Sequence, residues 1–521
     1  MAKAPDPVRL EICHSLLAAA CEQAGMRLQS SAVSPNIRER RDFSIALFDG
    51  AARLVAQAAH IPVHLGSAAD AVTAACRVIQ FAPGDVALLN DPYQGGTHLP
   101  DLTMVVPVFG RGRKPEWFLV NRAHHADVGG GTPGSMGIAS DIYGEGFIIP
   151  PVLFRHRGRL QHDVQRLLLN NVRGARERRL DLAAQEASLV LLAERLAMLS
   201  ADFGARQLQR YQGHLFDYTE RLGRAALGGL RRGTFLAVDA MEDDGLSRAP
   251  LPLRLSLNND GRRLRFDWSK SGPQARGPVN ANRSVVMAAC VYALRCLCPQ
   301  RLPTNEGLFR LIEVVTKRGT LLDPVWPAPV AAGNVETSQR LVDVCLQALA
   351  KAKPLAMPAC SAGTMSNLSM GSSEGPHAAF AFYETLPGGA GAGPMRAGRS
   401  AVQTHMTNTR NTPVEEFEQS YPLRVESLTV RLLSGGAGAR RGGCGIRKRL
   451  RAMQAMTATF LGERHLHGPP GASGGSAGLP GALWHEVRGR RKRLPSKCSL
   501  KLAAGEVLEV FTPGGGGHGR T

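Results

Sequence analysis

The sequence predicts a mixed α/β (α+β) protein of several domains, built from antiparallel strands, long helices and a strand-rich C-terminal part. Three observations lead there. Short apolar or alternating runs bounded by Gly, Pro, Asn and Asp recur along the chain, as in RDFSIALFD and LPLRLSLNN, the pattern of half-buried strands joined by turns. Arg179 to Phe203 and Ala205 to Leu227 carry Leu and Ala at three- and four-residue intervals, the period of a helix with one apolar face. From Tyr421 to Thr521, strand-like runs alternate with glycine-rich loops. A chain of 521 residues has room for about two to four domains. Changes of character divide it into 1–230, 231–420 and 421–521.

Taken in order, Pro7 to Gly25 reads as an amphipathic helix with early charges of both signs and no signal-peptide layout. RDFSIALFD reads as a strand that RLVAQAA can join across Asp49-Gly50. His60 and His64 stand four apart, but Pro62 between them argues against a helix interior and so against a helical ligand pair. Ala68 to Phe81 reads as a helix ended by Ala82-Pro83-Gly84-Asp85. Ile142 to Pro151 is strand-like, Asp163 to Val172 a short helix, and Gly228 to Ser269 a meander of short strands. Ser284 to Cys296 is an alanine-rich core helix, and Asn334 to Arg340 opens a helix running from Leu341 to Ala350. Ala359 to Ala397, rich in Gly, Ser and Met, has few large apolar residues and reads as loops over a site or as close-packed backbone.

The stretch from Asn90 to Pro151 organises the rest. Turn residues lead into the apolar run Leu102 to Phe109, a basic loop follows, and Trp117 to Val120 returns. An antiparallel hairpin with its tip between Gly112 and Arg113 sets Asp101 opposite His124 and His98 opposite Asp127. His98, Asp101 and His124 then gather at its open end, two imidazoles and a carboxylate able to hold one side of a cation while leaving positions free. Spacing alone leaves this reading level with that of ordinary hydrogen-bonded loop histidines. Neighbouring strand residues face opposite ways, so His124 and His125 do not share one ion. The loop Gly129 to Gly134, with Gly130 and Gly131 at its centre, exposes backbone N–H groups that can hold an anion or an oxyanion, or simply makes a sharp connection. Asp181 and Gln185 can reach the site from the first turns of their helix, or merely favour the helix start. A second cluster, Gln403 to Asn411, crowds hydrogen-bonding side chains that are costly to bury without a ligand or network. His405, Asn408 and Arg410 are its candidate substrate contacts.

The words NDPYQGGTHLPDLTMVVPVF, NRAHHADVGGGTPGSM and YGEGFIIPP, with RDFSIALFD, QAAHIPVHLGS, GNVETSQRLVD, QTHMTNTRNTPVE and SGGAGARRGG, resemble the hydantoinase B/oxoprolinase family over nearly the whole chain. That resemblance implies a metal site: the carboxylase branch holds manganese by His-x-x-Asp and a later His, which fall here on His98, Asp101 and His124. It also implies that His60 and His64 line the site as polarising or proton-transfer groups, and that His125 or Asp127 moves protons. By the same resemblance the cofactors are a divalent cation (manganese first, zinc or iron next) and ATP. The substrates implied are hydantoins or 5-oxoproline. The text departs from the family's usual pattern at Leu433-Ser434 and in PMRAGRS, which bears on substrate and partner more than on the metal set.

No G-x-x-x-x-G-K-[ST] and no dinucleotide G-x-G-x-x-G in strand–helix context occurs. ATP chemistry therefore calls for a partner, implied to be a hydantoinase A-like ATPase subunit in a hetero-oligomer. The net charge of +20 gathers late, from Arg440 to Arg451 and from Arg488 to Arg493. Aromatics make up only 5% of the chain and are sparse there, which speaks against nucleic acid and for a solvated face or an acidic partner. Apolar runs are too short for a bilayer, and the ten cysteines form no framework of pairs. Together these describe a cytoplasmic subunit of an ATP-dependent cyclic-amide hydrolase. A ketone carboxylase subunit and a non-catalytic basic binding module are the alternatives.

Overall fold

The computed structural model describes residues 6–58, 61–299, 302–354, 357–373 and 380–520; His60 lies outside them. A seven-stranded sheet dominates the first part, in the order Leu54–Gln57, Phe43–Asp49, Pro115–His124, Asp101–Phe109, Val86–Leu89, Val152–His156, Arg159–Leu160. Every neighbouring pair in it is antiparallel. Both faces are covered, which is why its strands read as nearly continuous apolar runs rather than a clean alternation. Phe43, Ile45, Leu47, Leu102, Met104 and Leu119 face the helices Pro7–Ser31 and Ala175–Phe203. Ala46, Phe48, Val105, Phe118 and Val120 face Ala68–Val78. The alternation therefore assigns even-numbered residues of the return strand to one side of the sheet and odd-numbered ones to the other.

Three more sheets follow. Gly233–Met241, Leu251–Asn259, Leu264–Asp267 and Ile312–Val315 form the second, with the last pair parallel. Helices Arg283–Leu297 and Ser338–Ala352 pack with it in the largest apolar cluster. The third sheet has the order Phe380–Thr385, Asn367–Ser372, Met456–Leu461, Lys497–Leu502, and a five-stranded fourth contains Leu423–Val430 and Ile446–Ala452. This is the expected α+β architecture. The third sheet joins strands from both sides of residue 420, so the boundary placed there does not separate two sheets. The Gly/Ser/Met-rich zone supplies two fully buried strands rather than only loops. In the first of them Gly371 lets neighbouring segments close in: a Cβ there would meet Pro133 Cβ at 2.4 Å and Phe380 O at 2.5 Å. Ile142 to Pro151 is not a strand; Ile142–Gly144 forms a 3-10 turn and pairing starts at Val152.

Close-packed backbone is nonetheless the rule beside the fourth sheet. Gly389, Gly443 and Gly515 stand so near one another that a Cβ on Gly389 would meet Gly443 O at 2.0 Å and Gly515 N at 2.4 Å. The backbone polar groups are satisfied from segment to segment, Gly443 N donating to Ala390 O and Gly515 N to Gly443 O. Four of the late arginines are paired with glutamates. Arg449 meets Glu426 and Glu486, Arg451 meets Glu426, and Arg447 and Arg491 both meet Glu509. Among the described residues, no helix is long and apolar enough to cross a membrane.

Candidate metal centre

The hairpin forms in the register read from sequence, with Asp101 opposite His124. Both side chains lie on the face shared with Phe118 and Val120. His98 joins them because the loop before the strand is stapled by Asn90. Its amide nitrogen donates to Leu99 O (2.8 Å) and Phe147 O (3.0 Å), and its Oδ1 accepts from Ile149 N (2.7 Å). His98 Nδ1 donates to the carbonyl of Ala331 (3.2 Å), which fixes the tautomer and turns a free Nε2 inward. His98 Nε2 lies 3.2 Å from Asp101 Oδ1 and 3.2 Å from His124 Nδ1, and His124 Nδ1 lies 3.3 Å from Asp101 Oδ1. Donor atoms about 2.0–2.2 Å from one ion, at angles between octahedral and tetrahedral, stand about 3.0–3.4 Å apart, so the triangle fits. Asp101 Oδ1 has no aligned hydrogen bond with either ring despite the short separations, the arrangement of donors aimed at a common point.

All three side chains are buried, and electrostatics suits them to a cation. Burial works to raise the Asp101 carboxyl, but His98 and His64 beside it hold it well below the ordinary range. Burial works to lower His98, but Asp101 outweighs it and the imidazole is raised. His124 is lowered, chiefly by burial, and so offers a neutral ring. A cation takes ligands in deprotonated form, so binding here uses the ready carboxylate and the neutral His124 ring and displaces the proton that Asp101 favours on His98. They bound a cavity of about 20 Å3, the size of one water. Its wall also includes Asp42, Asn334, Tyr383 and Thr407. The Tyr383 ring stacks on His124 at 4.5 Å between centroids. Tyr383 carried no signal in the sequence and arrives from a strand of the third sheet; Asn334 was visible in GNVETSQRLVD, as part of a polar helix start or, by the family resemblance, as part of a word near the substrate region.

His64 sits on the short turn Pro62–Gly66. Gly66 lets that turn press on helix Arg283–Leu297, since a Cβ there would meet Ala288 N at 2.7 Å. His64 Nε2 lies 3.3 Å from Asp101 Oδ2 and Nδ1 lies 2.9 Å from Ser44 Oγ. It thus stands between the small cavity and a larger one of about 320 Å3, mostly apolar, which it shares with Ser44, Phe48, Arg122, Tyr292 and Asn408.

Other expected residues lie elsewhere. His125 is turned to the opposite face, as strand alternation requires. Its Nε2 meets Gln185 Oε1 at 2.9 Å, and burial lowers the ring to about 4. Gln185 therefore serves His125 and Asn121, while Asp181 accepts from Val33 N and Ser34 N; neither reaches the triad. The Asp127 carboxylate is spent on the glycine loop and Arg173, accepting from Gly129 N (2.9 Å), Gly134 N (3.0 Å), Arg173 N (2.9 Å) and Arg173 Nη1 (3.0 Å). Gly131 N donates to Gly144 O and Gly130 O accepts from Arg173. These loop N–H groups thus face inward, and Gly131 borders a separate cleft with Arg173 and Lys501. His405, at a φ of 57°, has its Nε2 3.6 Å from Asp343 Oδ1, within a buried ion network. Asn408 is exposed at the larger cavity; Arg410 is exposed and does not line it.

Behind the triad, buried Glu145 accepts from Ala331 N (2.8 Å), and its other oxygen has no partner. Burial pushes its carboxyl up to about 8, against the pull of the Ala331 and Val330 amides. A carboxyl raised on folding contributes fully below its unfolded pKa, and that contribution is lost as pH rises through about 4.5 to 8. Glu145→Gln should remove this part of the pH dependence, on the order of a few kcal/mol. The check is the urea midpoint of the metal-free protein at pH 5.5 against 8.5 for both chains, where the variant's change should be the smaller.

Fold and site together are those of an α+β protein with a buried His–Asp–His group able to hold a metal ion. The chain belongs to the hydantoinase B/oxoprolinase family, whose model matches residues 6–521. It is 36% identical to 5-oxoprolinase 1 of Arabidopsis thaliana over 99% of its own length, and spans 42% of that longer protein. The crystal structure of an ATP-dependent caprolactamase from Pseudomonas jessenii is similar at a TM-score of 0.92 and 26% identity, covering 99% of this chain and 92% of that one. A nucleotide-free acetone carboxylase shares the fold at a TM-score of 0.91 and 18% identity, covering 99% and 76%.

Proposed function

We propose that this chain is the metal-bearing subunit of an ATP-dependent cyclic-amide hydrolase, working in the cytoplasm with a hydantoinase A-like ATPase subunit. The observation that carries the reading is the triangle of His98 Nε2, Asp101 Oδ1 and His124 Nδ1, 3.2–3.3 Å on a side, one histidine away from a 320 Å3 cavity. An unstrained amide resists attack because its carbonyl carbon is weakly electrophilic and its nitrogen leaves poorly; phosphorylation of the amide oxygen by the partner activates that carbon for attack. The three side chains would hold a divalent cation, manganese by family resemblance, with zinc or iron as the other candidates. When bound, such an ion lowers the pKa of a water or polarises a carbonyl oxygen.

The protein's own residues do the rest. The apolar wall of Ala46, Phe48, Leu54 and Val120 accepts ring carbons and excludes water, and Asn408 and Tyr292 offer polar contacts at its edge. Ser44 Oγ takes the N–H of Ile61 (3.4 Å), which directs its own hydrogen to His64 Nδ1. Asp101 Oδ2 faces His64 Nε2 and keeps a hydrogen there. His64 Nδ1 thus stands ready to accept a proton from the cavity by way of the Ser44 hydroxyl. Proton transfer falls to His64 rather than His125 or Asp127, because only His64 faces both cavities. Ten free thiols support a reducing compartment.

A ketone carboxylase subunit is the second reading, favoured by the fold shared with acetone carboxylase. A non-catalytic basic module is disfavoured by the buried donor triangle and by the glutamate partners of Arg447, Arg449, Arg451 and Arg491. The deciding experiment is co-expression with an encoded neighbouring ATPase subunit. ATP turnover is then measured with hydantoin, 5-oxoproline, ε-caprolactam and, with bicarbonate, acetone. Ring opening coupled to ATP hydrolysis and abolished by a chelator is the expected result; turnover only with ketone and bicarbonate overturns it in favour of the carboxylase.

A further inference from the structure

Asn334 stands on the wall of the 20 Å3 cavity together with His98, Asp101 and His124. It is 3% exposed, and its Oδ1 has no hydrogen-bond partner. Leaving a buried amide oxygen unpaired is costly, so a side chain of this kind persists where something else takes the lone pair. Elsewhere on the wall, the hydroxyls of Tyr383, Thr385 and Thr407 bond to Asn367 and Thr409 instead, and Ile61, Val63, Val335 and Met365 have no side-chain donor. The backbone that presents it is unusual as well. Gly333–Thr337 is a single π-helical turn at the start of helix Ser338–Ala352, and such wide turns are strained insertions that collect at functional positions. Contact with the neighbouring segment holds it in place. Gly333 N donates to Pro278 O (3.0 Å), and a Cβ on Gly333 would meet Asn280 O at 1.8 Å. Asn280 is itself fixed by its amide, which donates to Ala275 O, Gly277 O and Pro329 O. The turn is thus fastened where it brings Asn334 to the cavity.

We infer that Asn334 is a positioning residue of the metal centre, its Oδ1 accepting a hydrogen bond from the water that a bound cation carries. This rests on the metal reading above. Within a space the size of one water, the three donor atoms supply one side of the shell. Asn334 supplies the acceptor that orients what fills the other.

The test uses the full chain and Mn2+ as probe, with free ion counted by its six-line electron paramagnetic resonance signal and bound ion by its zero-field splitting. Asn334→Ala is expected to weaken Mn2+ binding about 10–100-fold, the range for partners that orient a metal's ligands, and to change the bound-ion spectrum. Asn334→Asp, which keeps an acceptor oxygen at the same place, should bind at least as tightly as the natural chain, whereas Asn334→Leu should behave like alanine. A shape-only role would lower the urea midpoint of all three without moving the dissociation constant. His98→Ala separates the two ideas. If it loses Mn2+ while Asn334→Ala and Asn334→Leu bind with unchanged affinity and spectrum, the Asn334 role is overturned and the centre stands. A natural chain that takes up no Mn2+, Zn2+ or Fe2+ overturns both.

Discussion

Asp101→Ala is expected to leave the purified chain with less than about one-tenth of its divalent metal and the assembled enzyme with on the order of a thousandth of its activity or less. The reason is charge as much as geometry. Asp101 is the only carboxylate among the three donors and is completely buried. Its Oδ1 faces both ring nitrogens and its Oδ2 faces His64 Nε2. With the carboxylate gone, His98 and His124 offer two neutral nitrogens in a buried cavity, a poor exchange for a cation's hydration. The buried His98 would also lose the neighbour that raises its pKa. Metal analysis by plasma mass spectrometry and the ATP-coupled ring-opening assay read the two effects. Natural enzyme stripped by a chelator is the comparison, and should match the variant in activity. Full metal content in Asp101→Ala would remove the centre as drawn.

Lys497→Met should cost about 3–5 kcal/mol of stability, the range for stripping one partner from a buried ion pair. Lys497 Nζ lies 2.6 Å from Glu463 Oε1 and 3.3 Å from Asp243 Oδ1, and the Lys497 and Glu463 side chains have no exposed surface. Asp243 follows a strand of the second sheet and Lys497 starts a strand of the third, so the pair ties the two sheets together. Without the ammonium, Glu463 must be buried unpaired or protonated. Burial already raises its carboxyl, with Lys497 working in the opposite direction, and removing Lys497 drives it further up. The loss should therefore shrink as the pH falls. Urea midpoints at pH 5.5 and 8 measure this. The double variant Lys497→Met/Glu463→Leu is the control, and should recover much of the loss because an apolar pair replaces a charged one. Equal losses in the single and double variants would mean that packing, not charge, was removed.

Local pattern and tertiary assembly divided the information unevenly. Ala205–Leu227 appears as a helix with the bounds its periodicity implied, because an amphipathic face records in the sequence what it packs against. The hairpin register was legible for the same kind of reason: a one-residue slip would turn every buried side chain to the wrong face. The strand Asn367–Ser372 was not legible, since glycine and serine in a buried sheet carry no apolar period, and one of its two partners begins at Met456; Phe380–Thr385 reaches the sheet only by pairing with it. Asp127 and His125 drew attention as polar residues beside the triad. Their actual partners, Arg173 and Gln185, lie 46 and 60 residues further along.

The sequence by itself determined the family, through long matching words, and the α+β class, because a strand's alternation and a hairpin's register follow from local chemistry; it brought forward His98, Asp101 and His124 as candidate donors. Only the tertiary structure decided what surrounds them. Tyr383 on His124, Asn334 on the cavity wall and Ser44 on His64 are brought by elements far apart in the chain. Contacts of that kind depend on how sheets and helices pack, which no short stretch of residues encodes.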